Sequence, residues 1–170
     1  MLEIGVGNGF VSAYLRRAGL EVTTLDLDPA LGPDVVAALP ELPFADASFD
    51  TVLCYEVLEH LPFERFAPCL AAIARVARAN VAVSLPDYER CLKLDSMFSK
   101  VWSVHFVVNV PRLFAPRHPP QREHHWKIGK KGYRQKRILR EMAAAGFSIR
   151  RHWRAIQAPY HHFFDLAKEG

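Results

Sequence analysis

The chain has 170 residues, half of them apolar and 24% charged, enough for one domain with a sizeable core and too apolar for a disordered polymer. The apolar runs, among them residues 104–108 with His105 inside, are far short of a membrane span, and no basic segment leads an apolar one at the N-terminus, so a cytoplasmic protein is expected. Cys54, Cys69 and Cys91 are odd in number and form no C-x-x-C, which argues against a disulfide framework or a zinc knuckle and for reduced thiols.

The formal net charge of +4 hides an asymmetry. Residues 1–87 carry 5 Lys+Arg against 12 Asp+Glu, a net −7, whereas residues 88–170 carry 17 against 6, a net +11. An acidic half suits a ligand with positive charge, and a basic half suits an anionic substrate, partner or surface. Solvated faces account for such runs equally simply.

The chain begins MLEIGVGNGF. Residues 1–4 are apolar apart from Glu3, Gly5, Gly7 and Gly9 alternate with Val6 and Asn8, and residues 10–17 place apolar side chains at helical spacing, which predicts strand, tight turn and helix. A turn with so little side-chain bulk lets a ligand approach the backbone, where the helix offers free N–H groups. A dinucleotide fingerprint would need glycine at position 10, where Phe10 stands, so NAD-type binding is disfavoured. A second strand, 21–25, ends in Asp26, seventeen residues after Gly9, where this kind of fold sets a carboxylate beside a ribose.

A short third strand is predicted at 35–38, a fourth at 49–54, a helix over 63–78 and a fifth strand at 81–85, stopped by Pro86. Such alternation predicts an α/β fold with a parallel sheet, helices on both faces, and ligands at the carboxyl ends of the strands. The glycine loop, Asp26, Tyr55-Glu56 and Pro86-Asp87 all fall there. Residues 88–131 break the rhythm with four prolines and many aromatic residues and read as a helix or two, then a long loop covering a site. A basic amphipathic helix over 131–145, closed by Gly146, and a strand pair at 147–156 and 162–167 complete one domain. Its parts are a ligand-binding half (1–87), a lid or substrate insertion (88–131) and a C-terminal helix with a strand pair (132–170).

Glu3 to Gly9, then Thr24-Leu25-Asp26-Leu27-Asp28, then residues 42–50 (LPFADASFD) and 52–61 (VLCYEVLEHL) resemble in order and spacing the motif series of class I S-adenosylmethionine (SAM)-dependent methyltransferases. The resemblance covers residues 1–87. It implies a Rossmann-like, mostly parallel seven-stranded sheet whose last strand runs antiparallel, with SAM as cofactor. Gly5, Gly7 and Gly9, with Asn8 in the same loop, would pass under the methionine part of SAM, and Glu3 would brace that loop. Asp26 would take the ribose hydroxyls, Leu27 would lie against adenine, and Tyr55 and Glu56 would face the methyl-bearing sulfur. Two departures stand out: Ala38 occupies the place where many members carry an acidic residue for the adenine amine, and the helices that usually precede the first strand are missing. The second implies a chain truncated at its N-terminus, with lowered SAM affinity and an apolar patch prone to self-association into a homo-oligomer.

Methyl transfer is an in-line displacement needing alignment and exclusion of water, and a base only where the accepting atom must shed a proton. His60 is the candidate base, its simpler reading being a helix-start histidine bonded to nearby backbone. His124, His125 and Trp126 suggest a substrate-contacting loop, or equally a lid packing Trp126 into the core. A metal there would need a third ligand at short range, and adjacent Glu123 points to the opposite face of an extended segment, so none is expected. The basic stretch Lys130, Lys131, Arg134, Lys136, Arg137 and Arg140 admits an RNA reading, but "CYEV" stands where methylases of planar nitrogens carry an Asn-Pro-Pro-Tyr-type sequence. A small-molecule acceptor, or a lipid or sugar precursor, is therefore preferred, with an RNA methyltransferase and a catalytically inactive binding subunit as the alternatives.

Overall fold

The computed structural model describes residues 1–89, 91–97, 103–109 and 124–169. Its strands are β1 (Leu2–Ile4), β2 (Thr23–Asp26), β3 (Val35–Val36), β4 (Phe49–Tyr55), β5 (Ala77–Pro86), β6 (Cys91–Met97), β7 (Ser103–Asn109), β8 (Phe147–Arg154) and β9 (His161–Lys168). The α-helices are α1 (Phe10–Arg17), α2 (Phe66–Val76) and α3 (Gln135–Ala144).

Seven strands form one sheet in the order β3-β2-β1-β4-β5-β9-β8. β1 is central, pairing Leu2 with Thr23 on one side and with Val52 on the other. The pairs from β3 to β5 are parallel, and β9 runs antiparallel to both β5 and β8. Six strands thus point one way and β9 the other, as the resemblance implied.

The core forms because central strands covered on both faces read as near-continuous apolar runs. Leu2, Ile4, Val52, Cys54, Val81, Val83 and Leu85 are all buried. On α2 the residues Phe66, Cys69, Leu70, Ile73 and Val76 recur at helical spacing and are buried. α3 contributes Ile138 and Met142 in the same way. Parallel pairing brings the carboxyl ends of β1, β2, β4 and β5 to one edge. Gly5, Asp26, Tyr55-Glu56 and Asp87 stand there.

Two expectations are corrected. The helix read over 63–78 is a short 3-10 turn at Phe63–Arg65 followed by α2, and β5 already begins at Ala77. Ala77 is drawn into register with Phe49 of β4, so sheet pairing overrides the helical preference of the Ala-Arg-Ala stretch. Within 88–131, where a helix or two was expected, β6 and β7 instead pair antiparallel as a separate two-stranded sheet, Cys91 opposite Asn109 and Met97 opposite Ser103. The β-branched and aromatic run at 103–109 favours this pairing. The long loop expected after it falls largely on 110–123, outside the described residues. Among the described residues no helix is long and apolar enough to cross a membrane.

Candidate active site

The loop after β1 is shaped by its glycines and by a carboxylate from the next strand. Gly5 has φ +84°, and a Cβ there would sit 2.3 Å from Val57 Cγ2, so both conformation and space require glycine. Gly9 caps α1 at φ +73°. Asp26 Oδ2 accepts a hydrogen bond from the Val6 N–H at 2.8 Å, and Oδ1 accepts from the Asp28 N–H at 3.0 Å. Asp26 therefore fixes the glycine loop as well as facing the cavity beside it, a double role that spacing alone does not reveal. Glu3 lies buried behind the loop, where burial pushes its pKa up against the opposing hydrogen bonds from Ser12.

A cavity of about 410 Å³ opens at the carboxyl ends of the strands. Gly5 and Gly7 floor it, Asp26 and Leu27 stand at the β2 end, and Tyr55 and Glu56 stand at the β4 end, followed by His60 and Leu61. Ala38 is also on the wall and brings no side-chain acceptor. Glu3, Asn8 and Gly9 are not among the lining: Glu3 is beneath the loop, and Asn8 Oδ1 accepts from the Phe10 N–H at 3.1 Å. Burial pushes the Tyr55 phenol up, with nearby Glu3 and Asp165 adding to the shift.

The exit from β4 is strained. Glu56 has φ +53°, a region costly for a side chain with a Cβ. It is held there by its N–H donating to Ser84 O at 3.2 Å and by the Ser84 hydroxyl donating to Glu56 Oε1 at 2.8 Å. His161 Nδ1 lies 3.4 Å from the same oxygen. One turn on, Glu59 is wholly buried, and among the described residues neither of its carboxyl oxygens has a hydrogen-bond partner. Burial first, and then the charge of Glu56, push its pKa up to about 8.

Residues 124–126 are strapped along residues 59–61. The His125 N–H donates to Glu59 O at 2.8 Å, and Trp126 Nε1 donates to Leu61 O at 3.1 Å. The His60 and His124 rings meet edge to face at 4.7 Å. One ligand atom from each of Glu59, His60 and His124 falls within 4.8 Å of the others. Of the two histidines at 124 and 125 only His124 joins this cluster, and its two other members come from the β4 exit, far away along the chain. Sequence reading had no signal for this meeting beyond two histidine-bearing segments.

The remaining substrate candidates separate. Trp126 is fully buried against Phe63 and Phe66, so its side chain belongs to the core rather than to a substrate surface. His125 is exposed and enters the cluster only through its backbone. Part of the basic stretch is engaged internally: the Lys130 ammonium sits 3.5 Å from the Tyr88 ring centre, and the Arg137 guanidinium lies 4.3 Å from that of Phe63.

Residues 2–85 match the family model described as "Methyltransferase domain". A ubiquinone biosynthesis O-methyltransferase from Hahella chejuensis is 32% identical over 129 residues, covering 66% of this chain and 52% of that protein. The chain thus spans about half the length of this curated relative. Among solved structures, the 1,6-didemethyltoxoflavin-N1-methyltransferase of Burkholderia thailandensis superposes with a TM-score of 0.63 at 19% identity, covering 99% of this chain and 69% of that one. Magnesium protoporphyrin IX methyltransferase from Synechocystis gives 0.64 at 18%, with 99% and 73% covered. Both were solved with S-adenosylhomocysteine bound. Residues 2–85 thus carry a methyltransferase domain, and the chain has the fold of these solved methyltransferases.

Proposed function

We propose that this domain transfers the methyl group of SAM to a small-molecule acceptor. The observation that carries the reading is the pairing of a bare glycine backbone with the Asp26 carboxylate on the floor of one cavity. The residues fit the cofactor. A Cβ at Gly7 would meet nothing within 4 Å, Asp26 is half-exposed, and Leu27 stands 70% exposed beside it as an apolar platform. Ala38 leaves adenine recognition to backbone groups or water.

Bound SAM supplies a methyl carbon already activated by its sulfonium. The protein's work is alignment and exclusion of water. Gly5 and Gly7 expose backbone to the methionine part, Asp26 takes the ribose hydroxyls, and Tyr55 and Glu56 form the wall where the acceptor enters. An acceptor that sheds a proton on methylation would give it to His60 on the cavity wall or to water. The small-molecule class follows the kind of substrate named for the Hahella relative, and an oxygen acceptor agrees with it.

Calorimetric titration with SAM and with S-adenosylhomocysteine tests this. Both are expected to bind one to one, and Asp26→Ala is expected to weaken binding by about 1–3 kcal/mol, the loss when ligand hydroxyls lose a charged partner. Wild-type protein that binds neither would overturn the reading. Labelled-methyl transfer to a panel of phenols, alcohols and amines then identifies the acceptor class.

A further inference from the structure

We propose that Glu59, His60 and His124 bind a divalent first-row transition-metal ion on the cavity wall, and that an oxygen of the acceptor completes its coordination. The ion site stands on geometry alone, while the acceptor's part in it rests on the methyltransferase reading.

Glu59 is the first observation. A carboxylate that is 0% exposed, with no hydrogen-bond partner on either oxygen among the described residues, needs a cation or a proton beside it. Glu56 faces it and adds a second negative charge that a cation would offset. The donor set is the second observation. One carboxylate with two imidazoles suits Mn²⁺, Fe²⁺, Co²⁺ or Zn²⁺ better than Mg²⁺ or Ca²⁺, which prefer oxygen ligands. Ligand atoms about 2.0–2.2 Å from a shared ion lie roughly 3–4 Å apart. The present span of 4.8 Å closes with a rotamer-scale movement.

The cluster is also preorganised. The hydrogen bonds from His125 to Glu59 and from Trp126 to Leu61 clamp both segments, and buried Trp126 anchors the strap. The Tyr160 hydroxyl lies 3.5 Å from His124 Nδ1, the kind of outer contact that orients a metal-binding imidazole. Three protein ligands leave coordination positions open. His60 lines the cavity, so an acceptor bound there reaches the open positions from the cavity side.

A hydroxyl bound to such an ion loses its proton to solvent at a lower pH and keeps a lone pair for the methyl carbon, while the ion is neither oxidised nor reduced. His60 then acts as a ligand, and the ion takes over the task otherwise left to a base. The acceptor class this selects is a phenol or an alcohol.

The test is titration of the chelator-treated full chain with Co²⁺ alone, read by its visible d–d absorption, with Zn²⁺ as competitor. One ion per chain is expected, displaced by Zn²⁺, and weakened at least tenfold in Glu59→Gln, His124→Ala and His60→Ala. His60 is exposed, so its variant probes the site without disturbing the core. No Co²⁺ binding, or binding unchanged by all three substitutions, would overturn the proposal. A SAM titration on the same samples separates the two readings. Co²⁺ binding without SAM binding would sink the methyltransferase reading and leave the ion site standing, and the reverse result would do the opposite.

Discussion

Position 5 joins two independent demands, a left-handed backbone and a neighbouring methyl group where a Cβ would go. Gly5→Ala is expected to cost about 2–4 kcal/mol in chemical denaturation, part from the positive φ and part from the clash with Val57. In a double-mutant cycle with Val57→Ala the steric part should be recovered and the backbone part should remain; zero coupling would remove Val57 from the account. At this scale the glycines and Asp26 were legible because ligand-facing loops constrain residue type directly. The bonds from Val6 and Asp28 to Asp26 were not, since nothing in the local pattern distinguishes a carboxylate held by backbone amides from one awaiting a ligand.

Among the elements, the strap at residues 124–126 connects packing to the site. Trp126 buries its ring against Phe63 and Phe66 and satisfies the Leu61 carbonyl. Trp126→Ala should destabilise the domain by about 3–5 kcal/mol. Trp126→Phe keeps most of the packing but strands that carbonyl, for about 1–3 kcal/mol. Equal effects of the two substitutions in thermal and denaturant unfolding would show that packing alone matters. The motif loop at 42–46 has a comparable device. Arg75 on α2 donates to Leu42 O, Phe44 O and Asp46, so the helix holds the loop that precedes β4. Helix and strand identity followed apolar periodicity well except at residues 77–78, 91–97 and 103–109, where cross-strand pairing decided the outcome.

For the whole molecule, a polar chain joins α3, β8, β9 and the end of β5. Gln135 Nε2 lies 3.1 Å from His152 Nδ1, His152 Nδ1 lies 3.0 Å from His162 Nε2, and His162 Nδ1 lies 2.8 Å from the Asp87 carboxylate. Arg154 Nε also lies 3.6 Å from the Asp87 carboxylate. Burial first, and the His162 charge second, lower the His152 pKa from its ordinary 6.5. The unfolded chain therefore takes up a proton at His152 before the folded one does. This contribution to stability is fully present above 6.5 and is lost as pH falls through the lower folded value. Melting temperature should drop over that window, and His152→Gln should flatten the drop; an unchanged profile in the variant would show that His152 does not contribute.

The order of motifs along residues 1–87 determined by itself the alternating α/β architecture, the place of the cavity at the strand ends and the positions of Gly5, Gly7 and Asp26 along it. These features follow from local conformational needs and from periodicity, both written in short stretches of chain. Only the tertiary structure decided that His124 would meet Glu59 and His60, and that Trp126 would be a core residue. Burial of one indole and a few backbone hydrogen bonds between distant segments set that juxtaposition, and no local spacing encodes it.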